Sequence, residues 1–210
     1  MKCCERGRSM IEMLGVLAIV GVLSVGGISG YTKAMSKYKL STLTYQLHEI
    51  VLGVRTFYMQ QDNFSNINVD SLIIGGAVPK DLINKDKSPT AEPILHKMGG
   101  TIRFFPSLDV DHKERAFEMY VTHLDHLACT HILTMDWGRD PASGFIALYV
   151  GTGDVTEALM KNIYTGADTN PEAGIYTCGQ HELSLPLPVA YANAACACDG
   201  NDCLIGLKYM

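Results

Sequence analysis

From Met13 to Gly30 the chain reads MLGVLAIVGVLSVGGISG, eighteen residues without a charge. As an α-helix rising 1.5 Å per residue, this run covers about 27 Å, close to the thickness of a bilayer's hydrocarbon core. After Gly30 the pattern becomes amphipathic. Leu40, Leu43, Leu47, Ile50, Val51, Val54, Phe57 and Tyr58 recur at intervals of three and four, with Lys37, Lys39, Ser41, Thr44, His48 and Arg55 between them. No proline occurs before Pro79. The pattern therefore predicts one helix from about Ser9 to Gln61, roughly 80 Å long, with turn residues at Gln61-Asp62-Asn63 and Ser65-Asn66 ending it. A helix of that length suits a membrane stalk or a coiled coil better than a compact domain.

The rest of the chain reads as α+β. Ser71–Ile74 leads into Gly75-Gly76 and Pro79 with room for one helical turn, and residues 85–93 are polar with two prolines. Gly99-Gly100 introduces a strand candidate at Thr101–Phe105, and Ala116–Thr122 alternates as a half-buried strand does. His123–Met135 has helical spacing, Phe145–Val150 is a third strand, and Cys203–Tyr209 offers a closing strand. These short spacings favour antiparallel hairpins over βαβ crossovers.

Composition sharpens this picture at two points. The 210 residues carry 17 Lys+Arg against 22 Asp+Glu, a formal net charge of −5, which argues against a protein that coats nucleic acid. The mean hydropathy of +0.09 is high for a soluble domain. Most of that excess lies in residues 13–30, so the remainder is expected to be water-soluble.

Ahead of the apolar run sits MKCCERGRSMIE, with Lys2, Arg6 and Arg8 as a basic flank. A secretory signal peptide would have a shorter apolar core and no acid at its leading edge. A plain anchor leaves Glu12 unexplained, because a carboxylate entering a membrane is costly without a partner. Positive-inside counting is balanced, since Lys33, Lys37 and Lys39 follow the run. The segment Gly7-Arg8-Ser9-Met10-Ile11-Glu12 followed by the apolar stretch resembles the processing site of type IV pilins and type II secretion pseudopilins.

That resemblance implies cleavage by a prepilin peptidase after Gly7. Arg8 would become the first mature residue, with a free and usually methylated amino group, and Glu12 the fifth. A buried carboxylate needs a cation, and the α-amino group of a neighbouring subunit would supply one, setting the axial register between subunits. Arg8 stands where most members have Phe or Met, and Ser29 where many have a helix-breaking Pro. Val78-Pro79, Gly99-Gly100, Ala128-Cys129 and the C-terminal Cys before the last strand are similar in order to PilS-like type IVb pilins.

Of seven cysteines, Cys3 and Cys4 fall in the expected leader. Cys129, Cys178, Cys196, Cys198 and Cys203 remain, enough for two bridges and one orphan, in a compartment that oxidises thiols. The residues alone do not fix the pairing. The resemblance implies Cys129 bridged to the C-terminal cluster, most simply to Cys196, with Cys198 or Cys178 joined to Cys203. His123, His126, Cys129 and His131 also lie within nine residues, a set that suits zinc, as would Cys196, Cys198 and Cys203. Asp199-Gly200-Asn201-Asp202 concentrates oxygen ligands but lacks the length and closing Glu of an EF-hand. No metal and no cofactor is expected. No Gly-x-Ser-x-Gly elbow, Gly-Lys phosphate loop or His-Glu-x-x-His occurs.

The expectation is a structural subunit of a type IV pilus or pilus-like filament, not an enzyme. Residues 1–7 would be a leader and 8–61 the helix, spanning the bacterial inner membrane over 13–30 and amphipathic over 31–61. Residues 62–210 would be an α+β globular domain outside the membrane, its antiparallel sheet packed on the helix. The implied partners are other copies in a helical homopolymer, the prepilin peptidase, an assembly ATPase and a platform protein. The alternatives are a type II secretion pseudopilin and a membrane-anchored periplasmic binding or metal protein.

Overall fold

The computed structural model describes residues 10–86, 88, 91–109, 111–138, 143–163, 174–177 and 185–210. Helix α1 spans Met10–Tyr58, 49 residues, with Glu12 in its first turn and Arg55 in its last, both favourably placed in the helix dipole. The chain divides into two units, the first ending at Ser41 and the second running from Thr42 to Met210.

The described part of the first unit is helix alone. The second is a compact α+β unit whose elements follow in the order α2 (Val69–Ile74), β1 (Ile102–Ser107), β2 (Ala116–Leu124), α3 (His126–Leu133), β3 (Phe145–Thr152), β4 (Ile175–Thr177), α4 (Val189–Ala195) and β5 (Cys203–Tyr209). The five strands form one antiparallel sheet in the order β1-β2-β5-β3-β4.

One face of the sheet is covered by the second unit's share of α1. Leu43, Leu47, Ile50, Val51, Val54 and Tyr58, spaced three and four apart, are all buried. A run of ring contacts carries the packing from helix to sheet. It passes from Tyr58 through Phe64, Phe117 and Tyr209 to Phe145, with centroids 4.9, 5.1, 6.0 and 5.1 Å apart. Pairs at these separations add attraction beyond the area they bury. Where Ala77 crosses α1, a Cβ on Gly53 would lie 2.6 Å from its carbonyl oxygen, so only glycine permits that approach.

The sheet's other face is covered by residues 153–163. Val155 and Met160 pack there on Tyr120, Ala147 and Leu204, flanked by Phe105, Ile146, Tyr149 and Ile163. This second cover corrects the half-buried reading of Ala116–Thr122, because every residue from Ala116 to Thr122 is buried. The expected last strand, Cys203–Tyr209, is β5; within the sheet it is the third of five, between β2 and β3, and buried throughout. The helix expected over His123–Met135 is shorter, because Asp125 caps it by accepting from the Ala128 N–H and His123 has φ +55. Strand β4 and helix α4 have no counterpart in the expected elements.

Candidate functional site

In the first unit, Glu12 lies in the opening turn of α1, and the apolar run that follows is exposed along its length. Its best 18-residue window has a mean hydropathy of 2.2 and none of it is buried. Leu14, Leu17, Ile19, Val22, Leu23 and Val25 are each at least 60% exposed. A Cβ added at Gly15, Gly21, Gly26, Gly27 or Gly30 would meet nothing within 4 Å.

Three hydroxyls on this helix are satisfied by its own backbone. Ser24 donates to the Val20 carbonyl at 2.8 Å, Thr32 to Ser29 at 3.0 Å and Ser36 to Thr32 at 3.1 Å. Polar side chains that return their protons to the helix suit an environment without water. So the surface asks for an apolar neighbour along about 27 Å of helix, with one carboxylate at its start. Gly7 and Arg8 lie outside the described residues.

In the second unit, Cys129 on α3 and Cys196 at the end of α4 are joined, with sulfurs 1.97 Å and Cα atoms 5.8 Å apart. Asp125 holds the N-terminus of α3 with an acceptor 2.7 Å from the Ala128 N–H. Around the bridge, His126 Nδ1 lies 2.8 Å from the Cys196 carbonyl oxygen and Nε2 lies 2.7 Å from Asn193 Oδ1. The Asn193 oxygen first, then the Cys196 carbonyl, hold the His126 pKa above the ordinary imidazole value. Cys198 and Cys203 are paired across a separation of five residues, with Cα atoms 5.4 Å apart. Cys178 lies outside the described residues.

The structure does not assemble the metal ligands considered above. Cys129 is bonded to Cys196, and the His126 ring engages backbone and amide oxygens. His123 Nδ1 lies 3.0 Å from Thr122 Oγ1. Among the described residues no three His, Cys, Asp or Glu side chains converge as a metal site. Asp199 to Asp202 form a turn with Gly200 at φ +64.

Sequence reasoning missed two buried, hydrogen-bonded ionisable residues beneath residues 153–163. Glu118 and Lys208 are both wholly buried and stand opposite each other on β2 and β5. Glu118 Oε1 accepts from Ser107 Oγ at 2.6 Å, and Oε2 accepts from the Tyr120 hydroxyl and, at 3.0 Å, from the Met160 N–H. Lys208 Nζ donates to the carbonyls of Met160, Lys161 and Ile163 at 2.8, 3.3 and 2.5 Å. The Tyr120 oxygen accepts from the Leu159 N–H at 2.7 Å. Burial, then the neighbouring Glu118 carboxylate, keep the Tyr120 hydroxyl far above its ordinary pKa and protonated. The available signal was one ionisable residue inside each of two apolar runs, Phe117-Glu118-Met119 and Leu207-Lys208-Tyr209.

No protein-family model matches this sequence, and no curated protein matches it. Similarity is found in three dimensions. The crystal structure of TcpA, a type IV pilin from Vibrio cholerae El Tor biotype, matches 82% of this chain and 99% of its own, with a TM-score of 0.58 and 14% identity. The long apolar helix and the antiparallel sheet against its C-terminal part are thus the type IV pilin fold.

Proposed function

We propose that the chain is a structural subunit of a type IV pilus or pilus-like filament, held in the bacterial inner membrane by α1 and assembled with copies of itself through that helix. The observation that carries this reading is the bare apolar surface of residues 13–30 behind Glu12, on a chain with the type IV pilin fold. A helix apolar on all sides is stable only when surrounded, first by lipid and then by other helices. The role follows from surfaces rather than from a reaction, so no enzymatic step is assigned.

In this reading a prepilin peptidase cuts after Gly7, and Arg8 supplies the new amino group, a site for methylation. Glu12 pairs with the amino group of a neighbouring subunit. An assembly ATPase and a platform protein move the subunit from membrane to filament. The Cys129–Cys196 bridge fastens the segment that faces outward, and the order of Val78-Pro79, Gly99-Gly100 and Cys129 is similar to that of the PilS-like type IVb branch.

Intact-mass and N-terminal analysis of the membrane form tests the processing, with an N-terminus at Arg8 expected. An N-terminus near Gly30 would overturn it. Glu12→Ala should leave an inserted subunit that assembles poorly, scored by sheared-filament yield and electron microscopy. Normal filaments from that variant would sink the register argument.

A further inference from the structure

We infer that the outward end of the membrane helix carries a docking collar for anionic phospholipid headgroups, made by Lys33, Lys37 and Lys39 with Tyr31 at its inner edge. This inference rests on residues 13–30 spanning a bilayer, and it adds a lipid class that the spanning reading does not specify. All four side chains are exposed on α1. Between Glu12 and Glu49 there is no acidic residue, so these three lysines are the only charges over that stretch of helix and nothing on it neutralises them.

Their order along the axis follows the depth profile of a leaflet. Gly30 ends the apolar run. Tyr31 comes next, an aromatic ring with a polar tip of the kind enriched at the membrane–water boundary. Lys33, Lys37 and Lys39 lie about 5, 10 and 14 Å beyond Gly30 at helical rise. A headgroup zone is about 5 to 8 Å deep on each side of the hydrocarbon. Lys33 therefore sits within it, Lys37 reaches back with its four-carbon stem, and Lys39 stays within about one Debye length of the lipid phosphates.

At 100° per residue, Lys33 and Lys37 lie on one side of the helix and Lys39 about 120° or more away, so the positive charge encircles the axis. Lysines beside a span disfavour translocation of that side. Placed on the far side, they stand in the wrong leaflet for orientation and in the right one for binding a lipid phosphate after crossing. Each cation near an anionic surface strengthens binding about fivefold.

The test uses the full chain reconstituted into phosphatidylcholine vesicles carrying a trace of spin-labelled phosphatidylglycerol or spin-labelled phosphatidylcholine. The fraction of label immobilised at the helix is read by electron spin resonance. The wild type should immobilise the glycerol lipid at least fivefold more strongly than the choline lipid. Lys33→Gln/Lys37→Gln/Lys39→Gln should lower that ratio at least threefold, leaving only the preference due to Lys2, Arg6 and Arg8 at the other end of the run, and 0.5 M NaCl should bring it near one; an unchanged ratio in the triple variant would overturn the collar. Immobilised lipid with no preference in the wild type would overturn the collar and leave the spanning reading intact. No immobilised lipid of either kind would defeat the spanning reading and the collar with it.

Discussion

Replacing Lys208 by Met should destabilise the second unit severely, although the new side chain is of similar length and apolar. The ammonium makes three hydrogen bonds to the carbonyls of Met160, Lys161 and Ile163. It is also the buried cation opposite Glu118, which has no exposed surface. Its removal strands three carbonyls and leaves a carboxylate supported only by Ser107, Tyr120 and the Met160 N–H. Leaving a buried carbonyl without its donor costs about 1 to 3 kcal/mol, so with three stranded a loss of about 3 to 5 kcal/mol is expected. In a chain of this size each kcal/mol shifts Tm by about 2 to 4 °C, so a fall of about 6 to 20 °C is expected.

The assay is urea denaturation of the full chain in a nonionic detergent, followed by near-ultraviolet circular dichroism and paired with hydrogen exchange over residues 153–163. The amides of Leu159 and Met160 should exchange faster in the variant, because their acceptors belong to the disturbed network. Lys208→Met/Glu118→Leu should be less damaging than the sum of the two single changes, since together they leave no uncompensated charge. A loss below about 0.5 kcal/mol from Lys208→Met, with unchanged exchange at Leu159 and Met160, would refute the argument; surface substitutions fall in that range.

The two bridges should differ in weight. Loop-closure entropy is worth about 4 kcal/mol for the Cys129–Cys196 separation of 67 residues and about 2 kcal/mol for the Cys198–Cys203 separation of five. Cys129→Ala/Cys196→Ala should therefore lower Tm by several degrees more than Cys198→Ala/Cys203→Ala in parallel thermal melts, and the reverse order would contradict it. His96 should make the fold acid-sensitive: it is buried, its Nε2 is 2.9 Å from the Thr122 carbonyl oxygen, and its Nδ1 is 3.3 Å from the Met98 N–H, an arrangement that suits the neutral ring. Burial first, with His123 adding repulsion against the Thr122 carbonyl's opposing pull, holds its pKa below the ordinary value. The unfolded chain then binds more protons, so this stability is complete above about pH 6.5 and is lost as pH falls through the lower folded pKa. His96→Gln should flatten the slope of unfolding free energy between pH 7 and 5. His48, lowered by burial, keeps part of that slope, while His126, raised, opposes it.

What was legible in the sequence and what was not divide along one physical line. Helix α1 needed only its own residues: apolar composition, a period near 3.6, and no proline. Strands β1, β2, β3 and β5 were legible as elements for the same reason. The place of β5 was not, because a sheet's order is set by pairings between residues far apart in the chain. The burial of Ala116–Thr122 on both faces depends on residues 153–163 arriving from beyond β3, which no local alternation announces. Glu118 and Lys208 are the sharpest case. Each alone reads as an error of patterning in an apolar strand, and the hydrogen bonds that Ser107, Tyr120 and residues 160–163 bring to them explain why both are tolerated.

Residues 13–30 lie at the other extreme. They are exposed throughout, so no register is needed to interpret them, and the sequence states their requirement in full. The same reasoning accounts for the difference between the units. Where the fold supplies every partner, ionisable groups are buried, bonded and legible only in three dimensions, as at Glu118 and Lys208. Where the partner must come from outside, the groups stay exposed and in linear order: Glu12, the apolar run, Tyr31 and then Lys33, Lys37 and Lys39. A linear order of acid, hydrocarbon, aromatic and cation is how a membrane leaflet is layered, and a helix that must be matched to its surroundings by depth alone has to carry that match in its sequence.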